Sequence, residues 1–195
     1  MDADLALLRT IIDNPDDDVP RLVYADWLED HGQTERAEFI RAQVEMAHLL
    51  REGQDVPQAI RLRSRQTELL ARHEREWFRE FRTFARSWTF DRGFIGYVSM
   101  EARDFADHAD FLFENTPLQR LRLARLGKHL PEVIASPYLR RLTHLYLHEP
   151  AGARVDLLLE GAMLEGLIFL DLFQWSLSIE EREQLRARFG NRVQF

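Results

Sequence analysis

Cysteine is missing from all 195 residues, which excludes a disulfide framework, a thiolate metal site and a thiol nucleophile together. Nothing in the composition then calls for an oxidising compartment, and a cytoplasmic setting is expected. Long apolar runs are missing as well. No stretch approaches the roughly 18–20 residues that span a bilayer, and the opening MDADLALLRTIIDNPDDD is acidic where a signal peptide is basic. Neither secretion nor membrane insertion is expected. Of the 26 basic residues only Lys128 is lysine, a bias attributed to GC-rich coding rather than to function. There is no glycine-rich phosphate loop, no nucleophile elbow and no pair of carboxylates in a defined setting. No catalytic, cofactor-binding or metal-ligating residue is therefore assigned, and the chain is read as a non-enzyme.

What is present is an ordinary globular composition, 45% hydrophobic and 30% charged, with an uneven distribution of charge. Residues 1–30 hold nine acids (Asp2, Asp4, Asp13, Asp16, Asp17, Asp18, Asp26, Glu29, Asp30) against Arg9 and Arg21, so that segment alone accounts for the net charge of −7. Residues 61–92 hold nine arginines against Glu68, Glu74, Glu76, Glu80 and Asp91. The acidic head and the basic stretch are expected to face each other or to share a partner.

Residues 1–52 read as a helical subdomain of three helices. Leu5, Leu8 and Ile12 lie at helical spacing, and Pro15 marks a stop. Leu22, Val23, Tyr24, Trp27 and Leu28 wrap most of a second helix that starts near Pro20 and ends at Gly32, which predicts a central, buried position for it. Thr34 is the expected cap of a third helix carrying Ile40, Val44 and Ala47 on one face. From Pro57 no breaker occurs until Arg82, predicting a long bridging helix within 57–86 whose aromatic end (Trp77, Phe78, Phe81, Phe84) docks on the C-terminal part of the chain.

Residues 88–195 carry an internal repeat. The apolar-x-apolar triplets Val98/Met100, Leu121/Leu123, Leu145/Leu147, Leu170/Leu172 and Val193/Phe195 are spaced at offsets of 23, 24, 25 and 23, with Leu118, Leu142 and Leu167 upstream of the middle three. Amphipathic stretches lie between them: Phe105, Ala109, Leu112 and Phe113; then Leu126, Leu130, Val133 and Ile134; then Val155, Leu158, Leu159, Ala162 and Met163. A Ser178–Glu181 capping box opens the last, which carries Leu185 and Phe189. A strand and a helix every 23–25 residues predict an α/β fold: a short leucine-rich-repeat-like horseshoe, its parallel sheet backed by helices and closed by a C-terminal capping strand. The polar residue that usually ties adjacent turns together three positions after each triplet is replaced by Leu126, Pro150 and Trp175, so these units are degenerate.

The segment RLVYADWLEDHGQTERAEFIRAQ, residues 21–43, resembles the bacterial repeat-companion domain through Asp26-Trp27-Leu28, the turn Asp30-His31-Gly32, and Arg36 to Ile40. Arg92-Gly93-Phe94, the PLQRLRL of 117–123 and the closing RFGNRVQF resemble the divergent repeats that accompany that domain. The resemblance implies a two-part architecture and an adaptor or scaffold role, and it brings no activity, cofactor or catalytic residue.

Asp26, Asp30, His31, Glu35 and Glu38 form the densest ionisable cluster, which is read as a helix turn followed by an acidic first turn, with Asp26 half-buried across the helix. His144 and His148, four residues apart on a strand, stand about 13 Å from each other and cannot share a metal unaided. The surface expected to carry function derives from strand alternation. If the triplet residues point inward, three ladders line the opposite, concave face: Tyr97, Arg120, His144, Phe169 and Arg192; Ser99, Arg122, Tyr146, Asp171 and Gln194; Glu101, Ala124, His148 and Phe173. Tyr97, Arg120, Arg122, His144, Tyr146, His148, Phe169, Asp171 and Phe173 are taken as partner-binding residues, and the expected partner is an unidentified protein. The alternatives are nucleic-acid binding through the arginines of 61–82, which four interspersed glutamates oppose, and an enzyme or metal protein built on the acidic head.

Overall fold

The computed structural model describes residues 3–53, 56–150 and 154–195. The chain forms two compact units, one of Met1–Thr83, Thr89–Gly96 and Glu114–Pro117, the other of Phe84–Trp88, Tyr97–Phe113 and Leu118–Phe195.

The first unit is built on four helices, α1 (Ala3–Asp13), α2 (Val19–Asp30), α3 (Thr34–Glu52) and α4 (Val56–Trp77). Ile11 of α1, Ala25 and Leu28 of α2, Ala37, Ile40 and Val44 of α3, and Phe94 form its core. The α2 helix is not buried all round as its apolar residues suggest. Arg21, Ala25 and Leu28, at i, i+4 and i+7, form the inward stripe, which leaves Val19, Leu22 and Val23 exposed on the other side. Asp26 falls on that outer side too, 72% exposed, and pairs with Arg41 at 2.6 Å rather than across its own helix. Thr34 lies inside α3, whose cap position is Gln33.

The basic helix α4 does lie against acids, but those of α3 rather than of residues 1–30. Arg65 donates to both carboxylate oxygens of Glu38 at 2.6 Å, Gln66 donates to the Ala42 carbonyl, and His73 lies 3.6 Å from Glu35. The acids of the head pair mostly with other residues, and Arg92 is the member of the basic stretch 61–92 that meets them. Asp26 and Glu29 share Arg41, while Asp18 takes Arg51 and Arg92 at 3.0 Å each. Burial alone would raise the Asp18 carboxyl, but hydrogen bonds from Arg51 and Arg92 outweigh it and hold the group below the ordinary aspartate value.

The bridging helix ends at Trp77 rather than continuing to 86, and it gives way to a strand that the sequence pattern does not announce, β1 (Ala85–Asp91), beside β2 (Phe94–Glu101). The reason is local. Trp88, Thr89 and Phe90 favour extended chain, and Arg92 (φ 46°) and Gly93 (φ 88°) supply the two consecutive left-handed residues of a type I′-like hairpin turn. Gly93 is also a point of close approach, where a Cβ would lie 2.8 Å from the Ile40 Cα. Arg36 seals this corner. Its guanidinium sits among Phe39, Trp77, Phe90 and Phe94, 4.7–5.7 Å from the ring centres, and donates to the Gly93 carbonyl. Burial lowers its pKa to about 10, which leaves it charged.

The strands form a six-stranded sheet ordered β1 to β6, with β3 (Arg120–Ala124), β4 (His144–Leu147), β5 (Phe169–Asp171) and β6 (Val193–Gln194). From β2 to β6 every pairing is parallel, with Val98, Leu121, Leu145, Leu170 and Val193 in register. The triplet leucines are fully buried, as are Leu118, Leu142 and Leu167. Helices α5 (Ala102–Asn115), α6 (Leu130–Ala135), α7 (Val155–Glu160) and α8 (Ile179–Phe189) alternate with the strands, and the Ser178–Glu181 capping box forms at α8. The α7 helix departs from expectation. It stops at Gly161, where a Cβ would lie 2.8 Å from Ile134, and the phase resets so that Leu164 is buried while Ala162 is exposed. Mixed α/β with a mostly parallel sheet is thus the architecture.

Side chains also reach back from one strand–helix unit to backbone carbonyls of the preceding one. Trp175 Nε1 donates to the Leu147 carbonyl at 2.8 Å, Arg141 to that of Phe113 at 2.8 Å, and Arg188 to that of Gly161 at 2.8 Å. Each reaches back 27 or 28 residues, just over one repeat. Among the described residues no helix is long and apolar enough to cross a membrane.

Candidate functional site

The face of the sheet opposite the leucines is set by alternation alone. Burial runs half-buried, buried, half-buried along β3, β4 and β5, so the residues between the leucines share one surface. Parallel pairing places Tyr97 beside Arg120, Arg120 beside His144 and His144 beside Phe169; in the next row Ser99, Arg122, Tyr146 and Asp171 stand side by side.

Aromatic rings occupy the middle of this face. Tyr146 lies 5.5 Å from Phe169 and meets Tyr97 edge-on at 6.4 Å across the intervening β3, while His144 lies 5.7 Å from Phe169. These separations are favourable for ring pairs, so the cluster is preformed.

The arginines of the same face are left without carboxylate partners. Among the described residues neither Arg120 nor Arg122 has an ion pair, and the Arg122 Nε is buried without a hydrogen-bond partner. Both ring nitrogens of His148 are buried and unpartnered too, with the nearest carboxylate oxygen, Asp171 Oδ1, at 3.9 Å. That oxygen already accepts from the Phe173 backbone N–H at 2.8 Å. Burial lowers the His144 pKa, and the charge of Arg120 lowers it further. Burial and Arg122 likewise lower that of His148, against smaller opposing effects of Asp171 and Glu149. Both rings therefore favour the neutral form more than a free imidazole does.

Two ladder positions fall elsewhere. Arg192 belongs to the tight turn Gly190–Arg192 and caps the carbonyls of Glu165 (3.0 Å) and Leu167 (2.8 Å), so it is a structural tie rather than a member of the first row. Glycine at 190 permits that turn, which takes Arg192 out of the strand. Phe173 lies beyond β5 in a turn and is 72% exposed. Glu101, heading the third row, is held by Arg86 and Arg125. The residues that sequence reasoning missed are Trp175 and the left-handed Arg125 (φ 54°) and Glu149 (φ 53°), the latter two each two residues beyond the last triplet leucine. Their common offset from the repeat was the available signal.

Of the arginines of 61–82, Arg65 and Arg72 bind Glu38 and Glu68, while Arg61, Arg63, Arg75, Arg79 and Arg82 are exposed and have no ion pair among the described residues. In the head, His31 stacks on Trp27 at 4.1 Å and sits within 2.7 Å of its carbonyl. Among the described residues no group of three or more His, Asp or Glu is arranged to hold a metal. Comparison with protein-family models, curated proteins and solved structures finds no match, so function rests on the chemistry of these surfaces.

Proposed function

We propose that this chain is a non-enzymatic, cytoplasmic protein-binding adaptor, in which a repeat-companion-like helical head accompanies degenerate leucine-rich-repeat-like units and a protein partner docks on the outward face of the sheet. The observation that carries the reading is the aromatic cluster Tyr97, Tyr146 and Phe169, preformed on a half-buried face around two β3 arginines that have no ion-pair partner of their own. Tyrosine and arginine are the residues that anchor interfaces, because each couples a large contact area to a directional polar group. The regular offsets of the buried triplets support the repeat reading, since a parallel register of 23–25 residues per unit is what stacked repeats require.

The test is the double variant Tyr146→Ala/Phe169→Ala. Each ring is a candidate hot spot of about 2 kcal/mol or more, so partner retention in a pull-down from the native host should fall on the order of 10²–10³-fold if the effects add. Three ring contacts are lost at about 0.5–1.5 kcal/mol each, so the double variant should still fold, and Leu145→Ala, costing roughly 2–5 kcal/mol from a single core side chain, serves as the comparison for a purely structural loss. A folded double variant that keeps wild-type partners would remove this face as the interface.

A further inference from the structure

We infer that the occupant of this sheet face is an acidic peptide segment, whose carboxylates are taken by two cationic seats, Arg120 with His144 and Arg122 with His148, interleaved with the aromatic cluster; this deepens the adaptor reading and rests on it.

The inference starts from an imbalance. Elsewhere in this unit many arginines find acceptors, and Arg103, Arg140 and Arg186, which have none among the described residues, are exposed to solvent. Arg86 and Arg125 share Glu101, Arg154 binds Asp156, and Arg141, Arg188 and Arg192 cap carbonyls. Arg120 and Arg122 stand side by side on the open face with no such partner among the described residues, and Arg122 withdraws its Nε from water without replacing the lost hydrogen bond. Burying a guanidinium donor unpaired is costly unless a ligand completes it. Both histidine rings feel the positive charge of the neighbouring arginine, opposed at His148 by Asp171 and Glu149. The His148 ring adds two buried nitrogens with no partner.

The remaining acids do not cancel these groups. Asp171 accepts from the Phe173 amide and stands 3.9 Å from His148 rather than pairing with either arginine, Glu101 is held by Arg86 and Arg125, and Glu149 lies 4.0 Å from Arg125 and is 55% exposed. The spacing favours peptide over a single small anion. Arg120 and Arg122 are two residues apart on one strand, about 6.6 Å, the separation of alternate side chains on an extended segment. Carboxylates at i and i+2 of a strand-like peptide would meet both guanidiniums, while Tyr146 and Phe169 receive apolar side chains beside them. A charge-assisted pair of this kind is short and directional, and a carboxylate reaching a half-buried histidine favours its protonated form.

The experiment uses the full-length chain as bait for a random dodecapeptide display library, with Arg120→Gln/Arg122→Gln as the counter-selection. The amide keeps polarity and removes charge, and circular dichroism checks that the variant is folded. Enrichment of peptides with Asp or Glu at i and i+2, binding at least tenfold more weakly to the arginine variant by fluorescence anisotropy, is the expected result. Selected peptides without acidic enrichment, or acidic peptides that bind both proteins equally, would overturn the inference. So would the absence of any selected peptide. Tighter binding of a 20-nucleotide single-stranded DNA that the same variant abolishes would assign the seats to phosphates instead. Arginine-dependent self-association in sedimentation would assign them to a second copy. If Tyr146→Ala/Phe169→Ala abolishes partner retention while Arg120→Gln/Arg122→Gln does not, the surface stands as an interface and the acidic occupant alone is wrong.

Discussion

Replacing Trp175 with Phe isolates one side-chain contact between successive strand–helix units. The indole is 4% exposed, and its Nε1 donates to the Leu147 carbonyl at 2.8 Å in the interior. Phenylalanine retains most of the apolar body but withdraws the donor, leaving a buried acceptor short of a hydrogen bond at a cost of about 1–3 kcal/mol. The lost ring volume adds about 1 kcal/mol, since a packed site relaxes only in part. The expected total is about 2–4 kcal/mol, read from equilibrium urea unfolding, with each kcal/mol lowering the thermal midpoint by about 2–4 °C in a chain of this length. An unchanged urea slope would place the loss in the native state rather than in the compactness of the unfolded chain. A cost below about 0.5 kcal/mol would refute the view that side-chain-to-carbonyl ties hold neighbouring turns together.

Gly93→Ala should destabilise by about 2 kcal/mol or more, because it strains a residue at φ 88° and drives a Cβ to 2.8 Å from the Ile40 Cα; a thermal midpoint equal to wild type would contradict the close approach. The pH dependence comes from the lowered pKa values of His144 and His148. Below the ordinary histidine value of about 6.5 the unfolded chain takes up protons that the folded chain resists, so stability falls as pH drops from 7 towards 5. Urea midpoints of His144→Gln/His148→Gln should fall less steeply across that window, and equal slopes would show that the two rings are not the cause. Glu149→Gly should be neutral or stabilising by about 1 kcal/mol, since Glu149 holds a left-handed conformation (φ 53°) that glycine adopts without strain; clear destabilisation in a thermal melt would mean that the side chain itself holds the turn.

The parallel register is legible in the sequence because period-two burial and a period of 23–25 residues reinforce each other: once Leu121, Leu145 and Leu170 align, Arg120, His144 and Phe169 must share the other face. The head is less legible. Counting apolar residues places α2 at the centre, but a helix can bury a stripe as narrow as Arg21, Ala25 and Leu28, and composition does not reveal that an arginine occupies it. Asp26 is misplaced for the same reason. Strand β1 is hidden by an absence of breakers. Helix termination at Trp77 depends on aromatic packing around Arg36, with Phe39 and Phe90 brought together only by the fold. The Arg92-Gly93 pair is the usable signal for the hairpin. The ladder positions of Arg192 and Phe173 fail where strands end, since alternation does not carry past the last paired residue.

Site-specific photocrosslinking in the native host tests the interface most directly, with a benzophenone amino acid placed at Tyr146 on the sheet face and, as a control, at Glu183 on the exposed side of α8. A discrete protein adduct at position 146, absent at 183 and suppressed by Phe169→Ala, is the result the adaptor reading predicts. No adduct at 146, or the same adducts at both positions, would contradict it.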